Sequence, residues 1–332
     1  MWNVSNITEP LHQTWTYGAI GRLTFCILQL CLNIGMLCVF IFRPALRSTF
    51  TVYIMALLSF NIFYCAGQYP LEVIRQTYPR WWLSEHACRL YLYEIWVVCS
   101  ATMHMHVLIT INRLWAVVFP VSYRQNHTTK VAVLMCLGMV TYVHLVCFPL
   151  YIRDQLYFHQ SASEHGCVMN IKEQNLYSTL VALIGYDLPI AFVVFAYPFL
   201  LYKHKQRGRS VHGATTGPSK TLPTSETRGS VSHAHRSRTN SIHPHGGRKG
   251  NVRPFLVLTL LTISVFVCWT PDTLFWTISC FTTVTEFPTV ETLTMVLYSM
   301  QAVMDPIIFA MSLASFRAYV VQSYRSWCCR KN

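Results

Sequence analysis

Residues 17–42 read YGAIGRLTFCILQLCLNIGMLCVFIF, twenty-six positions with a single charged residue, Arg22. A helix rises 1.5 Å per residue, so about 20 apolar residues cross a hydrocarbon core roughly 30 Å thick. Six further stretches pass the same test, at 49–74, 90–111, 130–152, 177–202, 254–280 and 289–313, the second and third spans being the most polar. Each is apolar on every face and about twice the length of a barrel strand, which predicts helices rather than a barrel. Composition agrees: 53% of the chain is hydrophobic and 12% charged, against about 25% charged in an ordinary soluble domain. The expected fold is an all-α membrane protein, a seven-transmembrane helix bundle.

Residues 1–16 are polar, with no positively charged start and no separate short apolar core, so the first span is expected to serve as the membrane signal. With the N-terminus outside, the inner segments 43–50, 119–130, 203–253 and 313–332 hold 19 of the 26 Lys and Arg, as the positive-inside rule requires. The net charge of +13 is therefore topological, and nucleic acid is not an expected partner. Asn3 and Asn6 open glycosylation sequons on an outer tail of residues 1–16, while the sequon at Asn126 falls inside and is expected to be unused. Residues 203–252 are rich in Ser, Thr, Gly, His and basic residues, with one acid, Glu226. Such a stretch cannot bury a core and is expected to be a disordered third intracellular loop. It is either a solvated loop or a platform for kinases, with Ser230, Ser232, Ser237, Thr239 and Ser241 as candidate phosphosites. The thirteen Cys are scattered through apolar segments, where most should be small buried hydrophobes. No internal repeat, metal motif or nucleotide motif stands out.

Spacing carries more. Cys88 precedes Arg113 by twenty-five residues, and Arg113 opens a run Asn112-Arg113-Leu114-Trp115-Ala116-Val117-Val118-Phe119-Pro120-Val121-Ser122-Tyr123-Arg124. Leu32-Asn33-Ile34-Gly35 lies in the first span, Pro189 stands eight residues before Tyr197 in the fifth, Cys268-Trp269-Thr270-Pro271 in the sixth, and Asp305-Pro306-Ile307-Ile308-Phe309 in the seventh. In this order they resemble the rhodopsin-like (class A) G-protein-coupled receptors over almost the whole chain outside the tails and the third inner loop. The subfamily is not identified. The resemblance implies a receptor, not an enzyme, that binds an extracellular ligand at the plasma membrane and activates heterotrimeric G proteins. It also implies a Cys88–Cys167 disulfide across the outer face. Phe316-Arg317 would begin a short amphipathic helix on the membrane surface within 313–332, with Cys328 and Cys329 as palmitoylation sites or unmodified thiols. Arg113 would be the switch facing Tyr197 and the G protein, or else a snorkelling basic residue. Trp269 would be a toggle above the Pro271 kink, or a plain core aromatic.

Several positions depart from the family pattern. The residue before Arg113 is Asn112 rather than an acid, and the inner end of the sixth helix has no acid, which predicts a weakened resting state and basal signalling. Val265 stands where the family has an aromatic, with Phe266 one place on, and Phe309 replaces a tyrosine. The second span has Asn61 and the seventh Asp305, as though a carboxylate had changed helix. Asn33, Asn61, Thr102, Gln301 and Asp305 form the expected polar network, with a sodium ion as the one cofactor the resemblance suggests. His104 and His106, two apart, face different sides of a helix and are expected to be satisfied core histidines. The seventh span lacks the lysine an opsin needs, and Ile95 stands where amine receptors place an acid, so a peptide or a small polar ligand is expected. Gln68, Glu72, Tyr91, Ile95, Asp187, Trp269, Tyr298 and Ser299 are the candidate pocket residues. A transporter or channel would share the hydropathy but not the motif register. Asn112 and Phe309 leave open a non-signalling or heteromeric receptor.

Overall fold

The computed structural model describes residues 13–171, 173–213, 253–281 and 288–331. Among them there is no strand, and seven helices are long and apolar enough to cross a membrane: Tyr17–Phe42, Thr49–Thr77, Glu85–Val118, Thr129–Phe158, Asn175–Lys203, Leu258–Ile278 and Thr292–Ser312. Four helices start on hydroxyl caps, where Thr16, Ser48, Ser84 and Thr128 accept the N–H three residues on. Such caps satisfy donors that the helix leaves orphaned at its end. Ser48 and Thr51 close a reciprocal capping box at the inner end of the second helix. The sixth helix is built in two parts, Arg253–Cys268 and Thr270–Phe281. Pro271 has no N–H to offer the preceding turn, and Trp269 stands at the join.

The third helix is the hub. In its most apolar window 83% of residues are buried inside the protein, against 28% for the first helix and 22% for the fourth. A helix wrapped by neighbours has no need of an apolar outer face, which is why its mean hydropathy of 1.4 is low and that of the first helix, 2.4, is high. The seventh helix, also at 1.4, is more polar than the second, at 1.6, a correction to the sequence expectation. Its polar residues, like those of the third, point into the bundle. Large apolar side chains left outside, such as Ile27, Leu134, Leu145 and Phe195, form the lipid-facing surface such a bundle requires.

The fifth helix runs on to Gly213, past residue 203, where a disordered loop was expected to begin. Extending an existing helix needs no new nucleus, and the Lys, Arg and Gln there are good helix formers. Residues 214–252, with all five candidate phosphosites, lie outside the described residues, as do Asn3 and Asn6. An 18-residue helix, Ala314–Lys331, follows the seventh span, and its Phe316 packs on Phe40 of the first at 5.9 Å between ring centroids. Cys328 and Cys329 lie on its last turns, and their side chains are outside the description.

Cys88 and Cys167 are joined in a disulfide within an apolar cluster that includes Trp81, Tyr91 and Met169. The bridge closes a loop of 79 residues, and chain-entropy reasoning puts its contribution at about 4–5 kcal/mol. Cys88→Ser should lower the unfolding midpoint of the purified protein and its surface expression, and Cys88→Ser/Cys167→Ser should do no worse than either single change. Additive losses would mean that the two cysteines act separately.

Candidate functional site

Asp305 is fully buried in the middle of the seventh helix. Its Oδ1 faces His106 Nε2 at 2.9 Å and accepts from Gln301 Nε2 at 2.8 Å, while Oδ2 accepts from Asn61 Nδ2 at 3.0 Å. Asn61 also reaches Asn33 Oδ1 at 3.2 Å, and Asn33 Nδ2 donates to the carbonyls of Gln29 and Ala302. Gln301 further donates to Ser264 on the sixth helix at 3.2 Å. The exchanged pair Asn61 and Asp305 is thus brought together, with Asn33 and Gln301 beside it. Thr102 contributes only its carbonyl, which accepts from His106 Nδ1 at 3.0 Å, because its hydroxyl turns back to Val98.

His106 is a buried histidine with both ring nitrogens partnered, as expected, but its partner was not read from the sequence: it faces Asp305 directly. A signal was available, since His106 stands four residues after Thr102 and so shares its helix face. His104 fits the expectation as well, bonded back to the Ser100 carbonyl at 2.8 Å. The His106 ring also meets Trp269 edge-on at 4.7 Å, and Trp269 stacks on Tyr298 at 6.1 Å. Tyr298 in turn contacts Cys99 Sγ at 2.6 Å. A continuous run of contacts therefore joins the Trp269 level to the buried carboxylate. Val265 belongs to the cluster around Trp269, whereas Phe266 is exposed on the lipid side. The missing family aromatic is not supplied from the next position.

At the inner end Arg113 lies over the Phe50 ring, 3.3 Å from its centroid, and its Nε has no hydrogen-bond partner. Tyr197 donates to Thr259 on the sixth helix at 3.2 Å. Phe309 is fully buried in the apolar cluster with Leu57, Met105 and Leu261. Asn112 turns toward the inner loop: its Nδ2 lies 2.8 Å from His127 Nε2, and Tyr123 donates to its Oδ1 at 3.3 Å. Tyr53 from the second helix also reaches His127 Nε2 at 3.0 Å. The Asn112 amide nitrogen can only donate, so His127 Nε2 accepts from it, which only the neutral ring can do.

At the outer end the candidate pocket residues are already engaged. Glu72 is gripped by Arg75 through two hydrogen bonds, at 2.9 and 2.8 Å, by Gln76 at 2.8 Å and by Tyr91, with Arg22 Nε a further 3.8 Å away. Thr277 donates to both oxygens of Asp187. Ile95 offers its carbonyl to Tyr186, Ser299 bonds back to Met295 and its carbonyl accepts from Gln29, and Gln68 is buried on the second helix. Glu94, beside Ile95, is buried against Gly67, where a Cβ would come within 2.5 Å of its Oε1. A groove of about 730 Å³ opens elsewhere, on the lipid side between the third, fourth and fifth helices, lined by His104, Tyr142 and Phe195 among others. None of the eight pocket candidates lines it.

Burial, and then the nearby Arg113 charge, hold the His127 imidazole below the ordinary histidine range. A histidine whose pKa falls on folding binds more protons unfolded, so its stabilising effect is full above about pH 6.5 and is lost as the pH drops from there through the lower folded-state value. Purified wild type should therefore lose more of its unfolding midpoint between pH 7.5 and 5.5 than His127→Gln, which keeps an acceptor but cannot titrate. Superimposable pH profiles would remove His127 from the inner-face contacts.

Comparison with known proteins agrees with this geometry. The family described as 7 transmembrane receptor (rhodopsin family) matches residues 32–309. An allatostatin-A receptor of Bombyx mori is 26% identical over 168 residues, 48% of this chain and 45% of that receptor. The 5-hydroxytryptamine receptor 6 of Mus musculus is 24% identical over 249 residues, 72% of this chain and 54% of the receptor. A type-1 angiotensin II receptor of Meriones unguiculatus is 27% identical over 122 residues, 37% of this chain and 33% of its own. The chain thus spans about half or less of the length of these relatives. With seven membrane-spanning helices, the motif register and a family match over most of its length, the chain belongs to the rhodopsin family of seven-transmembrane receptors.

Proposed function

We propose that this chain is a plasma-membrane receptor, N-terminus outside, that answers an extracellular ligand by activating heterotrimeric G proteins at its inner face. The observation that carries the reading is Arg113, placed at the inner end of the most buried helix and held by the face of Phe50 rather than by an acid. An arginine so placed is free to exchange an aromatic face for a polar partner without first breaking an ion pair. The run of contacts from Trp269 through His106 to Asp305 supports a path by which an outer event reaches the middle of the bundle. Basal signalling belongs to the same reading, since Asn112 gives Arg113 no charge to pair with. Receptor kinases and arrestin would act through the third inner loop, Asn3 and Asn6 would carry glycans, and Cys328 and Cys329 would be acylated.

The ligand is a peptide or small molecule other than an amine. The relatives named as 5-hydroxytryptamine, allatostatin-A and angiotensin II receptors do not decide between these classes, and the outer geometry supports a ligand other than an amine. Ile95 offers no charge, and Glu72 is already saturated by hydrogen bonds, so neither is available to a ligand ammonium. Two guanidinium groups, Arg22 and Arg75, surround that one carboxylate, which favours a ligand bearing an acidic group.

Recruitment of a panel of G proteins to the unliganded receptor in membranes is the direct test. Wild type should exceed mock-transfected cells, and Arg113→Ala should lower the signal by about tenfold. Asn112→Asp, which returns an acid beside Arg113, should lower it roughly two- to fivefold, a coupling of about 0.5–1 kcal/mol. Recruitment unchanged in Arg113→Ala would exclude Arg113 as the switch, and ligand-independent ion flux in a bilayer would favour a channel.

A further inference from the structure

The family resemblance carries the expectation of a sodium ion held by Asn33, Asn61, Thr102, Gln301 and Asp305. The residues present do not fit one. We propose that His106 occupies the role of the cation, so that the bundle core is charge-neutral by itself and excludes sodium.

The case rests on hydrogen-bond sense. His106 Nδ1 faces the Thr102 carbonyl at 3.0 Å, and a carbonyl can only accept, so Nδ1 carries a proton. Nε2 faces Asp305 Oδ1 at 2.9 Å, with Gln301 Nε2 farther off at 3.4 Å, and two proton arrangements satisfy the contact with Asp305. Either an imidazolium meets a carboxylate, or a neutral imidazole accepts from a carboxylic acid. The pair has no net charge in both, so no counter-charge is left for a metal ion. The directions around the carboxylate are also taken. Gln301 Nε2 at 2.8 Å and Asn61 Nδ2 at 3.0 Å aim hydrogens at the oxygens a cation would need. A hard cation draws a shell of oxygen ligands at about 2.4 Å, and two amide N–H groups and an imidazole converge here instead. The Thr102 hydroxyl is turned away to the Val98 carbonyl at 3.1 Å. Two amide oxygens nearby, Asn61 Oδ1 and Gln301 Oε1, have no protein partner. They are neutral dipoles, and without a net negative charge they do not offset the loss of an ion's hydration.

The same arrangement makes His106 a positioning residue for Trp269. The ring that neutralises Asp305 is the one against which the Trp269 indole rests, at 4.7 Å. What a diffusible ion would otherwise do from solution, a fixed side chain does permanently.

The test is thermal unfolding of the purified full-length receptor in sodium chloride against choline chloride at equal ionic strength. Wild type should show the same midpoint in both. His106→Gln and His106→Leu each leave Asp305 with an uncompensated charge beside the free amide oxygens. Either folded variant should gain a sodium-specific rise of about 3 °C or more, as expected for a ligand well above its dissociation constant. A sodium-specific rise in wild type overturns the proposal without reference to any variant, as does a folded variant that responds equally to both salts. Because the readout is stability, it is independent of whether the receptor couples to a G protein.

Discussion

A carboxylate in the middle of a membrane has no water to turn to, and the placement of Asp305 constrains much of the bundle around it. An uncompensated charge at that depth is among the most costly features a membrane helix can carry, and removing one member of a buried pair strands the other. Here the compensation comes from three helices: His106 on the third, Asn61 on the second and Gln301 on the seventh itself. Asn33 then extends the network to the first helix, binding a seventh-helix carbonyl at 2.9 Å. Between helices of similar apolarity the hydrophobic effect supplies little orientation. A set of directional bonds converging on one carboxylate can fix rotation and depth where packing alone would leave them loose.

From this level contacts run both ways. Outward, His106 meets Trp269 and Trp269 meets Tyr298, all at the place where the sixth helix is interrupted before Pro271. A break in the backbone ladder lets the outer half of that helix pivot with little loss of hydrogen bonding, so the indole is placed where displacement is least opposed. Inward, the next level is apolar. Phe309, Leu57, Met105, Ile109 and Leu261 form one apolar cluster, and Arg113 lies beyond it. With Phe309 rather than tyrosine there, this position of the seventh helix meets the level with a ring alone, and its contacts there are packing contacts.

Much of this was legible in the sequence. Seven spans follow from hydropathy, and the order of Asn33, Arg113, Pro189, Trp269 and Pro306 orients them around a common frame. The pairing of Asn61 with Asp305 could be read because both depart from one pattern at once. His106 could not be read in the same way. Hydropathy scores a residue against the lipid, and a motif scores it against its chain neighbours. The bond from His106 to Asp305 crosses 199 positions and depends on helix rotation, which neither reading contains. Glu72 shows the same limit. It looked like an acid open to a ligand, but Arg75, one turn away, and Tyr91, across on the third helix, already satisfy it. The continuation of the fifth helix to Gly213 was obscured for another reason, since a polar stretch reads as loop unless the helix already nucleated before it is taken into account.

Loss of the acids around Arg113 does not by itself leave the inner end without a resting contact, and the balance is quantitative. A cation over an aromatic face is worth about 0.5–2 kcal/mol, more as the site is drier, while a partly exposed ion pair is worth about 0–1 kcal/mol. On attraction alone Phe50 is an adequate substitute. The difference lies in hydrogen bonding. A carboxylate would accept from the guanidinium, whereas a ring face leaves Nε of Arg113 without a partner, and a buried donor left unmet costs about 1–3 kcal/mol. That penalty exists only while Arg113 stays on Phe50, and it is relieved by any acceptor presented at that end of the bundle. Asn112, meanwhile, is spent on His127 and Tyr123 and anchors the inner loop instead of the arginine. In this arrangement Arg113 is held by shape and aromatic contact, and it gains more from leaving Phe50 for an acceptor than it would from leaving a salt bridge.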